Sequence, residues 1–149
     1  TYAMTGWRMG YGVWPSSLID QATRLSINVH SCVNASAQLA GIAALNGPQD
    51  AVNEMVKAFD TRRRVIVDEL NSVPGFNCPE PGGAFYAFPN ITGTNIGSMN
   101  LQNKLLNEAG VAIISGTSFG ALGEGYLRFS YANSTENIIE AIRRVKECL

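Results

Sequence analysis

Residues 123–132 read Gly123-Glu124-Gly125-Tyr126-Leu127-Arg128-Phe129-Ser130-Tyr131-Ala132, a glycine-rich turn that runs directly into an alternating segment. Alternation with a period of two places successive side chains on opposite faces, so this spacing predicts a strand over 126–132. Leu127 and Phe129 take one face, and Tyr126, Arg128 and Ser130 the other. Upstream, the turn over 120–125 separates this strand from a second apolar one, Val111-Ala112-Ile113-Ile114. That strand follows a helix from Ser98, with Leu101, Leu105 and Ala109 facing inward and Gly110 as its stop. Downstream, Ser134 caps a last helix whose stripe is Ile138, Ile142, Val145 and Leu149. Strands interleaved with helices predict an α/β fold, a mixed α and β layer packing without internal repeats.

Further out, Val52, Met55, Val56, Phe59, Ile66, Leu70 and Val73 recur at three- and four-residue steps until Pro74-Gly75. They predict a long amphipathic helix, with Pro48 in its first turn. Its charge run, Arg62-Arg63-Arg64 with Asp60, Asp68 and Glu69, reads as a solvated face rather than a binding patch. The turn Pro79-Glu80-Pro81-Gly82-Gly83 leads into an aromatic strand over 84–89. Toward the start, a helix is expected over 38–45, closed by Asn46-Gly47, after a small-residue stretch over 31–37. A shorter helix enters at Pro15-Ser16-Ser17. The opening, with Tyr2, Met4, Trp7 and Met9 around Gly6 and Gly10, reads as a packed strand. With no initiator Met before it, the chain is expected to be a fragment.

The 149 residues, 46% of them hydrophobic, suffice for a folded core. A formal charge of -1 without a basic stripe argues against a nucleic-acid partner. Cys32, Cys78 and Cys148 are odd in number and far apart, which suits neither a disulfide framework nor a metal-ligand spacing. No apolar run reaches the roughly 20 residues that span a bilayer, so no membrane partner is expected, and a reducing cytoplasm is the expected setting.

Chemistry-bearing residues are few. His30, the one histidine, reads as structural. Two arginines stand out because each sits among apolar or small residues: Arg8 between Trp7 and Met9, and Arg128 between Leu127 and Phe129. Each guanidinium either closes an internal salt bridge or captures a phosphate or carboxylate, for which its planar fork is well shaped. The spacing leaves both readings open.

The opening Thr1-Tyr2-Ala3-Met4-Thr5-Gly6-Trp7-Arg8-Met9-Gly10 resembles the stretch after the cofactor-binding lysine of class I and II aminotransferases. Pro81-Gly82-Gly83-Ala84-Phe85-Tyr86 is similar to that family's Pro-x-Gly-Ala-Phe-Tyr strand. Gly116, Phe119-Gly120 and residues 123–130 resemble its closing glycine turn and arginine strand. The resemblance implies the carboxy-terminal portion of a fold-type I enzyme that uses pyridoxal phosphate. Residues 1–46 would end the large cofactor-binding domain and its dimer-facing region, and 47–149 would form the small domain, an α/β sandwich. It implies Arg8 as a cofactor-phosphate ligand and Arg128 as the holder of the substrate α-carboxylate. It also implies a homodimeric parent that exchanges an amino group between an amino acid and a 2-oxo acid. Two departures accompany it. Ser115 stands where relatives commonly have proline, and the Schiff-base lysine, expected immediately before Thr1, is not matched by Lys57, Lys104 or Lys146. The segment alone is therefore expected to be inactive. A lyase of the same fold, or the effector domain of a transcription regulator, would carry the same residues.

Overall fold

The alternation over 126–132 folds as a shorter strand, Leu127–Ser130, at the centre of a small sheet. The computed structural model describes residues 1–149, which divide into two compact units, Thr1–Glu54 and Met55–Leu149.

In the second unit the sheet has three strands, β1 (Tyr86–Ala87), β2 (Ile114–Ser115) and β3 (Leu127–Ser130), in the antiparallel order β1-β3-β2. Tyr86 faces Ser130 and Ala87 faces Phe129 on one side of β3; Ile114 faces Arg128 and Ser115 faces Leu127 on the other. Three helices cover the sheet's buried face. We number them by chain order: α3 (Asp50–Asn71), which begins in the first unit, α4 (Ser98–Glu108) and α5 (Thr135–Cys148), after α1 (Ile19–His30) and α2 (Ala35–Asn46) of the first unit. Their apolar stripes meet in one core: Ile66 and Leu70 of α3, Leu101 and Leu105 of α4, and Ile138, Ile142 and Val145 of α5, with Leu127 and Phe129 from β3. This packing explains the helical periodicity read from the sequence. Ser134 caps α5 by accepting a hydrogen bond from the Asn137 amide at 3.2 Å, and Gly110, at φ 65°, turns the chain away after α4.

All three strands are shorter than their patterns predict. Ala84 adopts a left-handed conformation (φ 61°), so the segment over 84–89 becomes extended only at Tyr86. The Val111 amide bonds back to the Leu105 carbonyl at 2.9 Å, which ties residue 111 to α4 and delays β2 to Ile114. Past β3, Ala132 is not in the ladder, although the Tyr131 amide still reaches the Phe85 carbonyl at 2.9 Å. Leu149 lies beyond the end of α5 and is exposed rather than on its buried stripe.

The charge run of α3 is ordered by ion pairs. Asp60 accepts from Arg63 at 2.6 Å and from Arg64 at 2.8 Å, Arg63 also pairs with Glu80, and Arg62 lies over the Phe59 ring at 5.5 Å. The face expected to be solvated is thus a partnered one, with Arg64 exposed and Arg62 and Arg63 half-buried.

The first unit differs more from its sequence reading. Residues 1–15 contain no strand. Left-handed backbone at Ala3 (φ 52°) and Arg8 (φ 51°) brackets a single 3-10 turn, Thr5–Trp7, and prevents the extended pairing that the apolar spacing suggested. A second 3-10 turn, Ser16–Leu18, opens α1 where Pro15 was expected to admit a helix. The helix expected over 38–45 begins earlier, at Ala35, because Asn34 caps it by accepting from the Ala37 amide at 3.0 Å. Pro48 precedes α3 rather than entering its first turn; the Gln49 side chain instead donates to the carbonyls of Ala44 and Gly47 at 3.0 and 2.7 Å. No helix is long and apolar enough to cross a membrane.

Candidate functional site

Strand β3 offers two unlike faces. Leu127 and Phe129 enter the core, where Phe129 meets Phe76 edge-on at 6.4 Å. Arg128 lies on the opposite face, half-buried, with its guanidinium carbon 4.4 Å from the centre of the Tyr86 ring and 4.7 Å from that of Phe119. Tyr86 reaches it from β1 on one side of the strand, and Phe119 from the turn after β2 on the other. The guanidinium forms no ion pair and no hydrogen bond within the chain. The internal salt bridge allowed by strand position is therefore not formed, because the neighbours on this face are rings.

Each of the two rings is braced by others. Phe119 meets Phe88 at 6.2 Å and 74°, and Phe88 lies flat on Tyr126 at 5.4 Å and 8°. Tyr86 touches Phe85 at 4.4 Å, and Phe85 packs 6.1 Å from Phe59 of α3. Period-two alternation signals Tyr126 and Arg128 on one face. It carries no signal that Phe119, nine positions away across a turn, comes back over the arginine.

The turn that returns Phe119 is two 3-10 segments, Gly116–Phe119 and Ala121–Gly123, packed backbone to backbone. A Cβ at Gly116 would stand 2.2 Å from the Gly123 carbonyl oxygen, and one at Gly123 would stand 2.0 Å from that of Gly116. The Gly116 amide donates to the Tyr126 carbonyl at 2.9 Å, which joins this turn to the entry of β3. The buried Ser98 hydroxyl accepts from the Gly125 and Tyr126 amides at 2.8 and 3.2 Å, while Glu124 accepts from the Ser98 amide at 2.9 Å. Ser98, legible only as a helix start, thus pins the glycine turn to α4.

The motif over 81–86 is held from behind. The Tyr131 hydroxyl donates to the Ala84 carbonyl at 3.0 Å, at the left-handed residue that redirects the chain into β1. Burial raises the Tyr131 phenol above its ordinary range, which keeps it a donor.

Arg8 belongs to the first unit. It sits at the end of the Thr5–Trp7 turn rather than in a strand, with its guanidinium donating to the Thr5 carbonyl at 3.3 Å and no acidic partner. His30 ends α1 and is exposed. Lys57 lies on α3, Lys104 on α4, and Lys146 on α5 paired with Glu69 at 3.0 Å. The three cysteines are unlinked, and burial pushes the Cys78 thiol up to about 11.

The sequence profile of the family described as aminotransferase class I and II matches residues 1–145. The chain belongs to the class I and II aminotransferases. It is 46% identical over 151 residues to the aspartate aminotransferase of Pyrococcus horikoshii, covering 100% of this chain and 39% of that protein. It is 43% identical over 158 residues to the aspartate aminotransferase of Streptomyces avermitilis, covering 100% of this chain and 38% of that one. The crystal structure of an aromatic aminotransferase from Pyrococcus horikoshii superposes with a TM-score of 0.90 at 38% identity, over 97% of this chain and 39% of its own. The chain thus has the mixed α and β architecture of fold-type I aminotransferases and spans about two-fifths of the length of the relatives it matches. Enzymes of this family use pyridoxal phosphate.

Proposed function

We propose that the protein carrying this segment transfers an amino group between an amino acid and a 2-oxo acid through pyridoxal phosphate. In this reading Arg128 holds the substrate α-carboxylate and Arg8 a cofactor-phosphate oxygen. The observation that carries it is the unpaired guanidinium of Arg128: a half-buried cation without an anionic partner within this segment is suited to an anion supplied by a ligand. A carboxylate bound in the plane of the guanidinium fixes the orientation of the amino acid, and therefore of its Cα–H bond, before any proton moves. Arg8 fits a phosphate on the same chemical grounds, since one backbone carbonyl accepts from it and no carboxylate competes. When bound, pyridoxal phosphate supplies the electron sink, and the protein supplies position and charge.

The finer features follow as proposals. Residues 1–46 close a large cofactor domain and dimer-facing region, 47–149 form the small domain, and the parent works as a cytoplasmic homodimer. Aspartate and aromatic amino acids are the donor classes suggested by the names of the relatives. The isolated segment is expected to be inactive, because Lys57, Lys104 and Lys146 all lie on helices and none stands in the sequence motif in which the family keeps its cofactor lysine.

Arg128→Lys in the complete enzyme tests the central role. It keeps the charge and removes the planar fork. Loss of a contact of about 1.5 to 3 kcal/mol lowers kcat/KM for an α-amino acid roughly 10- to 150-fold, while the corresponding amine without the carboxylate is hardly affected. Equal losses for both substrates, or unchanged amino acid kinetics, would remove Arg128 from the carboxylate site.

A further inference from the structure

An arginine that must receive a ligand carboxylate poses a physical problem. Its side chain is long and has several rotatable bonds, and the usual device for holding it, an acidic neighbour, would neutralise the charge and occupy the donors that the ligand needs. Around Arg128 that device is absent. Two aromatic rings lie under the guanidinium carbon instead, Tyr86 at 4.4 Å and Phe119 at 4.7 Å. Ring faces attract a cation through their quadrupole and accept none of its N–H donors in the guanidinium plane.

We infer that Tyr86 and Phe119 are positioning residues, a pair of rings that holds the Arg128 guanidinium in place while leaving its donors open to the carboxylate. The inference rests on the proposed carboxylate role of Arg128. Three further observations support it. The rings approach from opposite neighbours of β3, so each restrains a different sideways motion of the arginine. Phe119 is 55% exposed, and Arg128 and Phe88 both lie against its ring. The turn that carries Phe119 is fixed by the Gly116 and Gly123 close approach, and Tyr86 is fixed through Phe85 against α3. Both rings are thus on rigid supports. The Tyr86 hydroxyl makes no hydrogen bond within the chain, so the ring rather than the oxygen is the working part.

The test uses the complete, cofactor-loaded enzyme, with a good amino acid donor, its 2-oxo acid and the matching amine without a carboxylate. Tyr86→Leu and Phe119→Leu should each raise KM for the amino acid and the 2-oxo acid about 3- to 30-fold, with a smaller change in kcat and none for the amine. Tyr86→Phe and Phe119→Tyr, which keep a ring, should stay within about twofold of the parent and also serve if a leucine variant does not fold. In an Arg128→Leu background, removing either ring should raise the amino acid KM no further. The clamp is overturned if the leucine variants leave KM unchanged, if the amine suffers equally, if Tyr86→Phe loses as much as Tyr86→Leu, or if the ring effects persist without Arg128. If Arg128→Leu itself leaves amino acid kinetics intact, the carboxylate reading fails and the clamp with it. If Arg128→Leu is impaired and the ring variants are not, the clamp alone fails.

Discussion

Gly116→Ala should be among the most damaging single-methyl additions in the second unit, and its size can be worked from the geometry. The new methyl would stand 2.2 Å from the Gly123 oxygen, 2.8 Å from the Tyr126 oxygen and 3.0 Å from the Gly123 carbonyl carbon, all of them backbone atoms. No rotamer change relieves such a contact. The two 3-10 segments must part, and the Gly116 amide, which donates to Tyr126 at 2.9 Å, loses its partner as they do. Overpacking of this kind costs about 1 to 3 kcal/mol and the hydrogen bond about 0.5 to 1.5, so about 1.5 to 4.5 kcal/mol is expected together. For a chain of this size each kcal/mol moves Tm by about 2 to 4 °C, which gives a fall of roughly 3 to 18 °C in thermal unfolding followed by circular dichroism. Gly82→Ala is the control, since a methyl there meets nothing within 4 Å, and its Tm should hardly move. Because the same turn carries Phe119, the glycine variant should also raise the amino acid KM of the complete enzyme. A Gly116→Ala protein that melts with the parent would show that the close approach is not a constraint and would remove the support claimed for Phe119.

Two other outcomes follow from the titrating groups. Hydrogen bonds from Arg143, then from Arg144, hold the Glu140 carboxyl at about 2, below its ordinary 4.5. A depressed carboxyl stabilises the fold above its ordinary value and loses that contribution as pH falls toward 2, so Glu140→Gln should flatten the decline of Tm between pH 4.5 and 2; an unchanged slope would exclude this pair. Burial, opposed weakly by a backbone hydrogen bond at Phe88, keeps the Cys78 thiol protonated well above neutral pH. Iodoacetamide at neutral pH should therefore modify Cys78 readily in denaturant and very slowly in the folded protein, and equal rates would contradict its burial.

Much of the second unit was legible because its helices each bury one stripe in a common core, and a stripe leaves a 3.6-residue period in the sequence. Ile66 and Leu70, Leu101 and Leu105, and Ile138, Ile142 and Val145 are such stripes. The opening has no such stripe: Tyr2, Met4, Trp7 and Met9 have strand-like density, but the left-handed residues Ala3 and Arg8 have no marker in side-chain chemistry. The strands are shorter than their alternation, since ladder ends depend on hydrogen bonds such as Val111 to Leu105 that periodicity does not encode. At the site, Arg128 was visible as a charge in an apolar strand. Its ring partners lie 42 residues before it and nine residues before it across a glycine turn, and no spacing rule joins them. Arg8 stands out in the same way, between Trp7 and Met9, but only the family resemblance attaches a phosphate to it.

Ser115 is the instructive departure, because the family's usual proline at this position would seem to demand a different backbone. It does not. Ser115 has φ -58° and ψ 137°, within the range proline adopts, and Ile114 before it is already extended, as a residue preceding proline prefers to be. What serine adds is its amide, which donates to the Gln102 carboxamide oxygen of α4 at 2.6 Å, and its hydroxyl, which shares a hydrogen bond with the Thr117 hydroxyl at 2.7 Å. Ser115→Pro removes both bonds, worth about 1 to 3 kcal/mol together, and recovers about 0.4 to 1 kcal/mol by stiffening the unfolded chain, so its net cost should lie between about 0 and 2.6 kcal/mol. Gln102→Ala is the discriminating change. With Ser115 present it strands a buried N–H and should cost about 1 to 3 kcal/mol, whereas in the Ser115→Pro background there is no N–H to strand and the cost should nearly vanish. Denaturant midpoints of the parent, the two single variants and the double variant measure that coupling. An equal cost of Gln102→Ala in both backgrounds would mean that the bond contributes nothing, and that Gln102 is no reason for serine to stand where the family has proline.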